Sequence, residues 1–566
     1  MIAPDNIKKV HPTKTPSVLN RWRFGGLPAA EFLPLLQRYL TMQDSRAQWQ
    51  LVWLNNDGRP VIGLLPKVIW HVYFNDNSHS LVPITVPIYK IIKTCRDNNN
   101  SVTTAYMSYT DWQDALISYS KHYETVYNAP VSINSGSIKP SYHHGLMGFI
   151  GYDITAFELS PAAEIQPVTQ PFAAMGHYDI YLTPTDNEKY WALNIEITDT
   201  DDELDNPKLA ALISYLDTLD NKLSAIDRAN EPTDSLAPLI LTAKWHKSDY
   251  QQAFAQAQCY LQQGDCYQIN LTQAWQGSLV TSNNLNENAT TITKLIDYLP
   301  DLHCNTQAPF AGYIGISTLE NDSSKTDSSD NINFELLSCS PELFFTFIKA
   351  SNTDGNTASH HIRTKPIKGT RPRGMNAEQD LTLMQQLTAS DKDRAENVMI
   401  VDLLRNDLGK YAKTGSVKVP ELFAIESFSN VHHMVSTITA KLKVDAHPLA
   451  VLFGSLPAGS ITGTPKKRAV EIISELEADA RGAYCGTMGY MNFDGSGQWN
   501  VLIRTLQAHI SSSTTREVSL WAGGGITVAS DCDDEYQECL DKVGNLLNVL
   551  RQADSIQQTF IETNWA

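Results

Sequence analysis

Apolar residues recur along this chain with two periods, and the period changes with position. Short runs at 50–53, 61–65 and 178–182 are dense in aliphatic and aromatic residues between polar and Pro-rich stretches, which predicts strands. Leu209, Leu212, Ile213 and Leu216 fall three or four apart, the spacing that gathers side chains on one helix face. An acidic segment at 199–205 leads into this helix and a polar connection at 230–235 follows it. Further on, Ala395, Val398 and Met399 give an apolar stripe to a helix predicted over 391–406. Ala469, Ile472, Ile473 and Leu476 do the same for a helix capped by Thr464, with Pro465 at its first position. Two β-rich runs, 500–510 and 518–528, precede a closing helix over 534–551 packed through Leu546, Leu547 and Leu550.

No period of 20–50 residues repeats, so solenoids and propellers are set aside. Texture divides the chain into an N-terminal region, 1–235, and a segment at 245–553 where Gly, Arg and Glu motifs crowd together. Polar stretches at 281–290, 321–331 and 351–359 are expected to be mobile surface loops. At 566 residues there is length for a large core, and 44 basic against 62 acidic side chains give a net charge of −18. That balance repels phosphate backbones and anionic headgroups, which argues against nucleic-acid and membrane-surface partners. No apolar run reaches the length of a membrane span, and the first residues lack the apolar stretch of a secretion signal, so the expected compartment is the cytoplasm. Eight scattered cysteines without a CxxC pair suit reduced thiols better than a zinc site or a disulfide framework.

Several side chains could carry chemistry. Glu535, Glu538 and Lys542 share one face of the closing helix, an arrangement that is equally a solvated salt-bridged stripe. Glu396 on the 391–406 helix adds a second acidic element, and Glu396 with Glu538 could share a hard cation; magnesium suits one or two carboxylates, waters and substrate oxygens. The glycines at 369, 459, 463 and 523–525 read as turns or bulges, or as places where backbone N–H groups approach an anion. Neither GxGxxG in a βαβ setting nor GxxxxGK[ST] occurs, so nucleotide binding has no support. Arg504, inside a predicted strand, is either a ligand-carboxylate partner or a structural ion-pair partner. Lys368 in a turn is a solvated cation unless burial makes it a nucleophile. His432 and His433 suit core, orienting or acid–base roles alike.

The strings themselves carry a resemblance. GDCYQINL (264–271), SPELFF (340–345), PIKGT (366–370), DRAENVMIVDLLRNDLGK (393–410), VHHMVSTI (431–438), GSITGTPKKRAVEIISELE (459–477), IRTL (503–506), AGGGI (522–526) and EYQECLDKV (535–543) stand in an order and spacing similar to the chorismate-utilising enzymes. The match is dense over 245–553 and thin before it. The resemblance implies an α+β fold, with two large antiparallel β-sheets packed as a sandwich, peripheral helices, and N-terminal strands interleaved with the core.

It also implies a chemistry. Isochorismate and salicylate synthases carry a lysine where Gln268 stands, so Gln268 argues against attack by water. Anthranilate synthases carry alanine where Lys368 stands, whereas aminodeoxychorismate synthases carry this lysine, which attacks C2 of chorismate before ammonia enters at C4. By the same resemblance Glu342 is the general acid and His433 orients the reacting hydroxyl. Gly369, Thr370, Tyr484, Arg504, Gly523, Gly524, Gly525 and Lys542 contact substrate, with Arg504 and Lys542 on the enolpyruvyl carboxylate. Glu396 and Glu538 hold Mg2+, with Glu535 acting through water. No GxCxGxQ amidotransferase motif is present, so a glutamine amidotransferase subunit is expected to supply ammonia in trans. The alternatives are an anthranilate synthase large subunit, against which Lys368 stands, and a catalytically silent chorismate-binding subunit. The LLES-like and NPSPY strings of a tryptophan-inhibited relative are absent, so feedback by tryptophan is not expected.

Overall fold

Successive residues of the central strands enter different apolar layers, as a two-residue period requires. In strand Gly312–Ser317, Ile314 and Ile316 join one cluster and Tyr313 another. In strand Gly145–Ile150, Met147 and Phe149 join that first cluster, whereas Leu146 and Ile150 face a third. The first cluster draws on both large sheets and fills a sandwich. The outer clusters are closed by helices, one by Ala29–Gln43, Pro207–Ala225, Lys247–Gln263, Lys466–Leu476 and Cys532–Arg551, the other by Tyr109–Glu124, Asp391–Gly409 and Pro448–Ser455.

This computed structural model describes residues 17–552 except 44–49, 76–86, 97–100, 125–139, 167, 186–189, 197–206, 226–235, 280, 284–289, 318–331, 351–358, 429–430, 478 and 511–514. Among the described residues each of the two large sheets has 12 strands, and the fold is α+β with both of these sheets antiparallel. Strands from both ends of the chain interleave: Gly145–Ile150 pairs with Thr487–Asn492, and Val52–Leu54 with Gly312–Ser317. Among the described residues no helix is long and apolar enough to cross a membrane.

The chain changes sheet at points where the apolar pattern is unbroken. The run at 178–182, predicted as one strand, is two: Ala173–Tyr178 ends in one sheet and Ile180–Pro184 begins in the other. Asp179, between them, takes a two-pronged contact from Arg96 at 2.8 and 2.7 Å. The run at 500–510 likewise splits into Gly497–Asn500 and Thr505–Ile510, in different sheets. Arg504 therefore lies at a crossover, with φ of 51°, and not inside a strand. Both segments are buried on each side of the crossover, so the sequence pattern does not register the change of sheet.

Other boundaries differ in detail. Thr464 forms a two-residue strand with Gly463 against Gln268 and Ile269, and the following helix, Lys466–Leu476, starts one residue later than predicted with Pro465 as its N-cap. Gly523–Gly525 are no turn; they lie in strand Arg516–Ile526, paired with Leu271–Thr272 and Asn270. The helix from Asp391 continues to Gly409 behind a Ser390 cap, and the closing helix begins at Cys532, capped by Asp531. Of the expected surface loops, 321–331 and 351–358 fall outside the described residues, as do 199–205 and 230–235. The ends of 281–290 pair as a short ladder, Thr281–Asn283 with Thr290–Ile292.

A buried ion pair supports the strand that will matter most. Arg481, 2% exposed, donates to Glu477 at 2.7 Å and to the carbonyls of Ile461 and Asn270 at 3.1 and 2.7 Å. Glu477 in turn accepts from the N–H and hydroxyl of Thr272, both at 2.8 Å. Strand Gln268–Leu279 is thereby tied to the Gly459–Ile461 turn.

Candidate active site

Two crossovers run side by side. Ile332–Ser338 passes to Leu343–Ala350 through Cys339 to Glu342, and Gly497–Asn500 passes to Thr505–Ile510 through Val501 to Arg504. The Cys339 N–H donates to the Arg504 carbonyl at 3.0 Å, the Ser340 hydroxyl to the Val501 carbonyl at 2.6 Å, and the Val501 N–H to the Glu342 carbonyl at 3.1 Å. Glu342 is buried, and burial pushes its carboxyl up to about 7 against the opposing effects of Lys368, the Ile367 N–H, Lys542 and the Ser460 hydroxyl. A substantial fraction is thus protonated at neutral pH. Burial also lowers the Arg504 guanidinium from its ordinary value, with Cys339 opposing.

Lys368 comes from strand Ile367–Pro372, whose register against Val431–Lys441 slips between Ile367 and Thr370. Gly369 follows it at φ 83°, a left-handed conformation that glycine takes without strain. The Lys368 ammonium lies 3.7 Å from Glu396. Two residues after Lys368, the Thr370 hydroxyl contacts His433 Nδ1 at 2.8 Å. Burial, then Arg504 and His432, lowers the His433 imidazole to about 4, so at neutral pH the ring is uncharged. This suits an orienting hydrogen-bond partner. His432 faces elsewhere, bonded to Ser427 at 2.7 Å and Asp380 at 3.0 Å, and is structural.

Three carboxylates meet between the Asp391–Gly409 helix, which carries Glu396, and the closing helix, which carries Glu535 and Glu538. Glu535 is buried and takes the Ser530 hydroxyl at 2.7 Å and Lys392 at 3.0 Å. Glu538 pairs with Lys542 at 2.6 Å, and Lys542 also donates to the Gly523 carbonyl at 2.7 Å. Burial raises Glu396, and Glu535 and Glu538 add to this while Lys368 and Lys392 oppose it. For Glu538 burial is outweighed by Lys542, which holds the carboxyl below its ordinary value.

Gly524 backs this group: a Cβ there would stand 2.8 Å from Glu535 Oε2 and 3.6 Å from Glu538 Oε1. Glu396 and Glu538 are of the donor type that a hard divalent cation takes together with water or ligand oxygens, and Glu535 stands behind them against Gly524. Among the described residues no three His, Cys, Asp or Glu side chains are grouped so as to hold a metal ion by themselves, so an ion here would draw on two carboxylates and on water.

These groups line one cavity of about 700 Å3, within the range of small-molecule sites. Of the residues expected from sequence, Glu342, Lys368, Gly369, Thr370, Glu396, His433, Tyr484, Arg504, Gly523, Glu538 and Lys542 line it. Gln268, Gly524, Gly525 and Glu535 are not among its lining residues, although a Cβ on Gly525 would stand 3.4 Å from Lys368 Nζ. Gln268 is 2% exposed, its Nε2 lacks a hydrogen-bond partner among the described residues, and Gly525 leaves it room, since a Cβ there would run into that amide. Tyr484 stacks on Trp521 at 6.1 Å.

The sequence reading missed Asn270, Lys392, Ser460 and Trp521 as wall residues. Lys392 had a signal, lying one helical turn before Glu396. Ser460 is in a quoted motif, but nothing local ties it to Glu342.

A sandwich whose paired crossovers present a buried acid and an arginine, beside a lysine and a carboxylate cluster, defines a small-molecule enzyme site. Residues 102–548 match the family model described as chorismate binding enzyme, and the chain belongs to that family. It is 37% identical to aminodeoxychorismate synthase component 1 of Salmonella typhimurium over 414 residues, covering 72% of this chain and 77% of the relative. Against the Escherichia coli protein of the same name it is 34% identical over 456 residues, covering 78% and 86%. In fold it is similar to anthranilate synthase component I from Streptococcus pneumoniae, with a TM-score of 0.59 at 21% identity over 86% of this chain and 91% of that one.

Proposed function

We propose that this chain acts as the chorismate-converting component of an aminodeoxychorismate synthase in the cytoplasm, forming 4-amino-4-deoxychorismate for p-aminobenzoate and folate synthesis. The observation that carries this reading is the presence of Lys368 and the buried acid Glu342 in one cavity, beside relatives that bear that name over most of their length.

The Lys368 amine, as free base, attacks C2 of chorismate; the ring double bonds shift and the C4–O bond breaks. Hydroxide leaves poorly, so Glu342 delivers a proton and water departs. Ammonia then attacks C4, the double bonds shift back, and the C2–N bond to Lys368 breaks. The proton shed by the new ammonium returns to Glu342, so chorismate and ammonia give aminodeoxychorismate and water. With C2 occupied by Lys368, ammonia can enter only at C4.

Arg504 pairs with the enolpyruvyl carboxylate, and uncharged His433, held by Thr370, orients the reacting hydroxyl. Lys542 stands near the same substrate group, anchored to Glu538. Gln268, in place of a water-activating lysine, leaves no base for hydration at C2. Glu396 and Glu538 would hold magnesium, with Glu535 behind them, and the ion would neutralise the ring carboxylate. A glutamine amidotransferase subunit supplies the ammonia.

The test is a product assay of the purified chain with chorismate, Mg2+ and an ammonium salt, comparing wild type with Lys368→Ala. Aminodeoxychorismate from the wild type, lost or diverted in the variant, supports the covalent route. Anthranilate with pyruvate from the wild type overturns it.

A further inference from the structure

We infer that Lys392 is the resident counter-cation of the carboxylate cluster: it holds Glu535, the carboxylate behind the proposed ligands, and its charge competes with a divalent ion at Glu396 and Glu538. Lys392 thereby sets how tightly the chain takes up that ion. The inference rests on the reading of Glu396, Glu535 and Glu538 as a magnesium site.

The pair is unequal. Lys392 Nζ lies 3.0 Å from Glu535 Oε1, yet the glutamate side chain is 2% exposed and the lysine side chain 50%. The carboxylate cannot leave, whereas the ammonium can swing into water. Lys392 also bridges the two helices that carry the cluster, reaching from the first turn of Asp391–Gly409, one turn before Glu396, to the closing helix. Glu535 Oε1 is already shared with the Ser530 hydroxyl at 2.7 Å, while Oε2 is the oxygen that faces Gly524. The ammonium's field also reaches Glu396 and Glu538.

The other two lysines differ. Lys368 faces Glu396 at 3.7 Å, and Lys542 is fastened to both Glu538 and the Gly523 carbonyl. Each has work on the substrate in the proposed reaction. Lys392 has none, and its charge opposes a second cation at Glu535.

The probe is Mn2+, titrated into the full chain without chorismate and followed by the spin-resonance signal of the free ion. Lys392→Met, neutral and without an oxygen ligand, should bind Mn2+ about tenfold more tightly than wild type, the scale expected when a partly screened unit charge leaves a cation site. Lys392→Arg should match wild type, and Lys392→Ala repeats the neutral test should the thioether pack badly. Equal or weaker binding by both neutral variants, with an unchanged circular dichroism spectrum, overturns the inference. Mn2+ uptake abolished by Glu538→Gln but indifferent to Lys392→Met would keep the metal reading and remove this one. No uptake by wild type or any Lys392 variant would remove both.

Discussion

The carbonyl of Glu342 accepts the backbone N–H of Val501 at 3.1 Å, so the acid and the crossover that ends in Arg504 are fixed to one another through the main chain. Neither side chain depends on a flexible loop for its place. Positioning of this kind leaves the chemistry to burial and charge, which makes it open to simple substitutions.

Glu342 keeps its proton to about 7 because it is buried. A group needed in its acid form is fully effective below that value and is lost as pH rises through it. At constant free ammonia, and relative to the rise that deprotonation of Lys368 contributes, kcat/KM should show a falling limb that sets in at about pH 7. Ser460→Ala removes a hydroxyl that lowers this carboxyl, so the falling limb should move to higher pH. Glu342→Gln should lose roughly 10²- to 10⁴-fold in kcat while still binding chorismate. A limb unmoved by Ser460→Ala would point to a different acid.

Arg504 brings a buried guanidinium into the cavity. Its planar fork is not reproduced by lysine. Arg504→Lys should raise the Kd for chorismate about 10- to 100-fold, the range of a charged hydrogen bond lost, with little effect on melting temperature. Quenching of cavity tryptophan fluorescence would measure it.

Arg481 and Glu477 are buried together under the Gln268–Leu279 strand. Arg481→Met strands Glu477 without its cation and should cost about 3–5 kcal/mol in denaturant unfolding. Adding Glu477→Leu should recover part of that loss, because it removes the uncompensated charge. A double variant less stable than the single one would contradict this account.

Gly524 has no room for a side chain on the face toward Glu535, where a Cβ would stand 2.8 Å from Oε2. Gly524→Ala should therefore weaken Mn2+ uptake about tenfold or more, by displacing the Glu535 carboxylate that supports the ligands from behind. Binding equal to wild type would place the ion elsewhere.

Much of this was legible locally. Glu535, Glu538 and Lys542 share a helix face because of their spacing alone, and the structure joins Glu538 to Lys542. Ten of the wall residues expected from sequence stand in the motif strings, and the resemblance supplied an eleventh, Tyr484. The runs at 178–182 and 500–510 misled because a chain buried in two successive sheets keeps one apolar texture while its partners change. The same blindness hid the alignment of Glu342 with Val501, and the seating of Ser460 against that acid, since no local pattern encodes contacts between distant segments. Gly523–Gly525 looked like a turn because glycine runs usually are; here their missing side chains make room for Gln268 and Glu535 inside a strand.

The interleaving of early and late strands has a consequence for synthesis on the ribosome. The amides of His143 and His144 are held by Asn492, and 349 residues separate His143 from that partner. At typical bacterial elongation rates that gap is roughly 20–70 s of translation. Throughout it, strand Gly145–Ile150 waits with an edge open to the wrong neighbour. Nascent chains of this protein should therefore lean on holding chaperones until the last quarter has emerged, and a stop codon anywhere before the closing helix should yield an aggregate instead of a weaker enzyme.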